Sequence, residues 1–139
     1  MIAVDTNVLV RILVQDTEQQ KQTELAQELV KKSGAVFVPQ MVQVELVWVL
    51  EAAYKFEKTD VVGALQYLLT SSFYRLQREE SFKLALERFQ TGNAGFADSL
   101  IAVESQFENV ELWTFDRKLS KQSGVIKLTE QAMADLPRP

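Results

Sequence analysis

Four acids in this chain occupy settings in which a carboxylate can do chemistry: Asp5, Glu45, Asp98 and Asp116. Asp5 ends the apolar run of "MIAVDTNVLVRIL", and Asp116 ends "VELWTF" in the same way. Glu45 lies in "MVQVELVWVL", where its helical neighbours are Met41, Val42, Trp48 and Val49, all apolar. Asp98, in "GFADSLIAVE", has Ala94, Gly95, Ile101 and Ala102 around it. Each acid also has a plainer reading. Asp5 or Thr6 caps the next helix, and Asp116 caps its own following segment. Asp98 is favoured in a first helical turn by the macrodipole, and Glu45 sits on the exposed edge of an imperfect amphipathic helix. Taken together, the four suggest more. Two strands of one parallel sheet point the same way, so acids ending both lie along one edge, where open α/β sheets bind ligands. Helices leaving that edge can add Glu45 and Asp98. Close carboxylates repel by about 4 kcal/mol at 4 Å with an effective dielectric near 20, so such a cleft calls for a bound cation. Mg fits, held by a few carboxylates with waters completing its octahedron, and Mn can substitute.

Composition narrows the chemistry further. The 139 residues contain neither His nor Cys. That excludes thiol nucleophiles, disulfides, the usual zinc ligands and every imidazole-based acid–base pair. Carboxylates, hydroxyls, amines and a hard, oxygen-loving ion are what remains. A formal net charge of -4 argues against a general nucleic-acid coating protein but not against a nuclease, which concentrates acids in its site. Lys31-Lys32, Arg75 with Arg78, and Arg117-Lys118 with Lys121 are the local basic groups available to meet phosphates. A 47% hydrophobic and 24% charged composition is that of a soluble globule. No apolar stretch approaches the ~20 residues of a membrane span, and no secretory leader is evident at the start. The expectation is a cytoplasmic protein with no membrane partner.

The elements that must position these residues alternate strand and helix. After a first strand at Ile2 to Val4 and an apolar Val8 to Leu13, Thr17 to Lys32 reads as a surface helix with a Leu25, Ala26, Leu29, Val30 stripe, ended by Ser33-Gly34. "AVFVP" reads as a strand stopped by Pro39, and Gln40 to Tyr54 as a helix buried on several sides. "KTDVVGALQYLL" carries a Val61, Val62, Leu65, Leu68, Leu69 face with Thr59 or Asp60 as cap. "SFYRL" is a third strand, Glu79 to Phe89 a helix broken by "TGNAG", and Phe96 to Phe107 the next helix. "VELWTF" and "GVIKL" are the last strands, and "TEQAMADL" the last helix. The pattern predicts one domain over 1–139, a three-layer α/β/α sandwich with a central parallel sheet of four to five strands covered on both faces, and a poorly ordered tail from about 136.

The pieces "VDTNVLVR", "VELVWVL", "FADSLIA" and "TFDRKL" together resemble the PIN domain and, within it, the VapC toxins of bacterial toxin–antitoxin pairs. The likeness runs from Met1 to about Leu128. It implies a Mg-dependent endoribonuclease with Asp5, Glu45, Asp98 and Asp116 as the catalytic, metal-holding acids, Asp5 and Asp98 being the firmest ligand matches. Thr6, Asn7 and Thr114 match polar positions beside the acids and take supporting roles. Where many relatives place Ser or Thr three residues before the glutamate, this chain has Val42. The resemblance also implies RNA as substrate, with tRNA the class, a homodimer, and a cognate antitoxin through which alone DNA is contacted. In such a site a metal-activated water attacks the phosphodiester in line, leaving 5′-phosphate and 3′-hydroxyl ends. Two other readings stand beside it. A haloacid dehalogenase-like phosphohydrolase also begins with a strand ending on Asp, but its second acid falls where this chain has Asn7. A non-catalytic α/β binding module makes Asp5, Asp98 and Asp116 caps and leaves Glu45 unexplained.

Overall fold

The computed structural model describes Met1–Pro139 and divides the chain into two units, Met1–Glu79 and Glu80–Pro139. In the first unit three short strands pair in parallel: β1 (Ile2–Ala3), β2 (Val36–Val38) and β3 (Tyr74–Leu76), in the order β1-β2-β3. Register aligns Ile2, Val36 and Tyr74 across the sheet, and Ala3, Phe37 and Arg75 one step further on. Alternation then gives the two faces different environments. Val36, Val38, Tyr74 and Leu76 are buried, whereas Ala3 and Arg75 are exposed and the Arg75 guanidinium lies 5.5 Å from the Phe37 ring centroid. This second face is therefore less deeply buried than the first.

Helices connect the strands, as parallel crossovers require. They are α1 (Thr6–Leu13), α2 (Gln20–Ser33), α3 (Gln40–Ala52) and α4 (Lys58–Thr70). Helix α1 buries Leu9 and Val10. Helix α2 ends as expected, with Gly34 at φ 75° donating its N–H to the Val30 carbonyl, a conformation glycine adopts without a Cβ penalty. Its anticipated stripe is not the packed one: Thr23 and Ala26 are buried, while Leu25 and Leu29 face solvent. Small residues let α2 approach α1 closely, and the leucines rim the contact instead. Helix α3 was expected to be buried on several sides; Val42, Leu46, Val47 and Leu50 are buried, but Met41, Glu45 and Trp48 form an exposed stripe. Helix α4 starts earlier than its expected caps. Glu57 is the N-cap, and Asp60, three residues on, accepts the Glu57 N–H at 3.1 Å to close a capping box.

The link between α1 and α2 is held to the end of α3 by a polar clamp. Arg11 Nη1 donates to the Tyr54 hydroxyl at 2.7 Å, that hydroxyl donates to Asp16 Oδ2 at 2.8 Å, and Arg11 Nε donates to Gln22 Oε1 at 2.9 Å. The Tyr54 hydroxyl, helped by backbone N–H groups and Arg11, holds the Asp16 carboxyl below its ordinary value of 3.8.

In the second unit α5 (Glu79–Thr91, all but its first residue) and α6 (Phe96–Phe107) share an aromatic contact. Phe96 is buried edge-on to Phe82 and Phe89, with centroids 5.5 and 6.2 Å away. Strands β4 (Leu112–Thr114) and β5 (Val125–Lys127) pair in parallel as a two-stranded sheet, so the five strands are hydrogen-bonded in two sheets rather than one. Ala94, Ala102, Leu119 and Val125 are packed together beside Leu112. Helix α7 (Glu130–Ala134) starts at Thr129, whose hydroxyl accepts the Ala132 N–H. No helix is long and apolar enough to cross a membrane.

Two outcomes follow for stability. Phe96→Ala, which empties the aromatic contact, lowers unfolding free energy by about 3–5 kcal/mol in urea titrations. A carboxyl whose folded pKa is depressed stabilises the fold above its unfolded value and loses that contribution as pH falls through the folded value. The stability gap between wild type and Tyr54→Phe is therefore widest above pH 3.8 and closes below it, measured by urea titration across pH.

Candidate active site

Asp5 stands two residues beyond β1 and caps α1. Its extended backbone (φ -85°, ψ 179°) turns the side chain back over the first turn, where Oδ1 accepts the Val8 N–H at 3.0 Å. The bond uses one carboxylate oxygen; Oδ2 makes none. Thr6 follows, buried, and its hydroxyl donates to Glu45 Oε1 at 3.2 Å across 39 residues of chain. The β1–α1 junction and the middle of α3 are thereby joined at a carboxylate. Glu45 itself is exposed, so Met41 and Trp48 flank it without burying it. Val42 is buried, and Thr6 supplies the hydroxyl that the position three residues before Glu45 does not. Asn7 is exposed and, with Asp5, Val8, Arg11, Leu25 and Leu29, lines a groove of about 330 Å³ between α1 and α2.

In the second unit Asp98 is the third residue of α6, in the turn that follows the Gly95 cap. It is half-buried and its carboxylate makes no hydrogen bond. The adjacent Ser99 is fully buried and accepts from Gln122 Nε2 at 3.0 Å, which fixes this turn from behind. Asp116 lies two residues past β4 and is exposed. Its Oδ1 accepts the Lys118 and Leu119 N–H groups at 2.7 and 2.9 Å, and its own N–H donates to Thr114 Oγ1 at 3.0 Å.

The first unit thus joins Thr6, next to Asp5, to Glu45 and places Asn7 with Asp5 in the groove towards α2, and the second places Thr114 against Asp116. Within neither unit are three carboxylates close enough to hold an ion by themselves. The chemistry of the donors nonetheless fits a hard cation. All are oxygens, none of the four acids is in an ion pair with Lys or Arg, and the bonds to Asp5, Glu45 and Asp116 each engage a single oxygen of the pair.

One positioning residue, Gln43, escaped the sequence reading. It is fully buried on α3, and its Nε2 donates to the Val38 and Gln77 carbonyls at 3.2 and 2.9 Å, while Gln77 Oε1 accepts the Gln40 N–H at 2.8 Å. The start of α3, and with it the approach to Glu45, is locked to the carboxyl ends of β2 and β3. An amide inside the apolar run "MVQVELVWVL" was the available signal.

Over 123 residues, 87% of this chain and 91% of the relative, the sequence is 28% identical to a VapC ribonuclease of Aquifex aeolicus (strain VF5). The family model for the PIN domain matches residues 2–125, a span that contains all four acids, and with parallel strands joined by helices the chain belongs to the PIN domain family.

Proposed function

We propose that this chain is a Mg-dependent endoribonuclease, the toxin of a bacterial type II toxin–antitoxin pair, which hydrolyses RNA phosphodiester bonds with tRNA as its substrate class. The observation that carries this reading is the Thr6–Glu45 hydrogen bond, which holds an exposed carboxylate of α3 at the junction bearing Asp5. A binding module that uses Asp5 only as a cap leaves that arrangement without a purpose. Asn7, an amide in place of a second acid, argues against a phosphohydrolase that needs an acid and base there. The ribonuclease name of the Aquifex relative and the PIN family membership support the same conclusion.

In this reading Asp5, Glu45, Asp98 and Asp116 hold the metal, and the two units act as one PIN domain. When bound, a divalent ion supplies a lowered pKa for water and offsets charge on the phosphate oxygens. Asp5 presents the oxygen not used in capping. Thr6 fixes the rotamer of Glu45 by occupying Oε1, which leaves Oε2 to orient the attacking water or a ligand. Asp116 is held by two backbone N–H groups and so presents a fixed oxygen at no further entropic cost. Attack by water leaves 5′-phosphate and 3′-hydroxyl ends. The working protein is a cytoplasmic homodimer neutralised by a small antitoxin, whose own DNA-binding part is the link to DNA.

Asp5→Asn separates chemistry from folding, because asparagine caps a helix about as well as aspartate. Its unfolding free energy stays within about 0.5 kcal/mol of wild type, while Mg-dependent RNA cleavage falls by more than about 100-fold. Equal cleavage by both proteins, or a 2′,3′-cyclic phosphate as primary product, overturns the proposal. Thr6→Val keeps the shape and removes the hydroxyl; cleavage drops by about 10- to 100-fold, measured as initial rates at saturating Mg.

A further inference from the structure

We infer that Gln122 is a positioning residue of the metal site, which fixes the carboxylate of Asp116 relative to that of Asp98 so that the pair can share a divalent ion; this rests on the nuclease reading above. The turn of α6 that bears Asp98 starts without a side-chain cap, because Gly95 has no group to accept its free N–H groups. Order in that turn comes instead from the residues on either side of Asp98. Phe96 is buried against α5, and Ser99, fully buried, accepts the Gln122 amide. On the other side of the pair, Asp116 Oδ1 accepts the Lys118 and Leu119 N–H groups and its carbonyl accepts the Ser120 N–H at 3.0 Å. A single 3-10 turn, Leu119–Lys121, follows, and the Gln122 N–H closes it on the Leu119 carbonyl at 3.0 Å. From Asp116 to Gln122 the chain is thus one hydrogen-bonded piece.

That piece meets the Asp98 helix at two points. Leu119 is buried with Ala94 and Ala102, and Gln122 Nε2 donates to Ser99 Oγ at 3.0 Å. Residues three apart eclipse in a 3-10 turn, so Leu119 and Gln122 face the same side. The apolar contact is non-directional and by itself leaves the turn free to pivot about Leu119. A directional hydrogen bond one turn later removes that freedom, and with it the play between the two carboxylates. The amide is itself oriented from behind. Arg88 of α5 donates Nη1 to Gln122 Oε1 at 3.4 Å and Nη2 to Gln106 Oε1. A guanidinium has donors only, so Oε1 must face Arg88 and Nε2 must face Ser99. Arg88 is in no ion pair, and its donors are given to two neutral amides. Glutamate in place of Gln122 would answer Arg88 but have no N–H to give Ser99, and would add a negative charge near the pair.

The probe is Mn, titrated into the full chain and followed by loss of the free-ion EPR signal, with circular dichroism checking that each variant stays folded. Gln122→Met keeps the stem of the side chain and removes both polar atoms. Its Mn affinity falls by about 10-fold or more although the protein is folded throughout. Ser99→Ala removes the same hydrogen bond from the other side and gives the same shift. Because the two act through one bond, the double variant stays within about 2-fold of either single variant. If Gln122→Met folds poorly, Ser99→Ala alone carries the test. Mn affinity within about 2-fold of wild type in the folded single variants, or losses that multiply in the double variant, overturns the inference, since these residues then only support the fold. RNA cleavage separates the two readings. A wild type that binds Mn, loses affinity on Gln122→Met and cuts no RNA removes the nuclease and keeps the positioning role. Mg-dependent cleavage by wild type, with unchanged Mn affinity in the variants, does the reverse.

Discussion

Parallel pairing of β1, β2 and β3 is the constraint from which the arrangement of the first unit follows. Strands that run the same way end on the same edge, and each must leave it through a helix or turn. Asp5, the Pro39–Gln40 junction and Gln77 therefore belong to one rim. Three polar contacts then fasten the rim: Gln43 to the Val38 and Gln77 carbonyls, Gln77 Oε1 to the start of α3, and Thr6 to Glu45. None of these residues is adjacent in sequence to its partner. The glutamine contacts form because strand and helix ends leave carbonyls and N–H groups that a buried edge cannot leave unpaired, whereas Thr6 and Glu45 pair through their side chains alone.

Two of the four carboxylates are held by the segments that follow them. Asp5 and Asp116 both satisfy backbone N–H groups of the segment that follows them. That satisfies the capping reading of each, yet it consumes one oxygen of two. Capping thus fixes each side chain while leaving its second oxygen without a hydrogen bond. Asp98 differs, because it has no hydrogen bond of its own and its position comes from the turn that Ser99 and Gln122 anchor. Glu45 differs again: it is placed by a partner's hydroxyl rather than by its own backbone.

Packing decided against several expectations for reasons of side-chain size and helix phase. On α2 the small Thr23 and Ala26 form the contact, because close approach of two helices rewards small residues, and Leu25 and Leu29 are displaced to the rim. On α4 the capping box shifted the start to Lys58, since Glu57 and Asp60 together satisfy two backbone N–H groups where Thr59 satisfies one. On α3 an apolar composition nearly all round still left one stripe outside, because a helix on one side of a small sheet has only so much surface to cover.

The sequence by itself determined the order of strands and helices, the parallel class, the loss of imidazole and thiol chemistry, and the candidacy of Asp5, Glu45, Asp98 and Asp116. These depend on residue type and period, which are local properties. Only tertiary structure decided that Thr6 holds Glu45, that Gln43 locks α3, that the hydrogen-bonded sheets number two, and that Met41 and Trp48 stand in solvent. Such facts depend on which surfaces meet, and a hydrogen bond across 39 residues has no counterpart in the spacing of its neighbours.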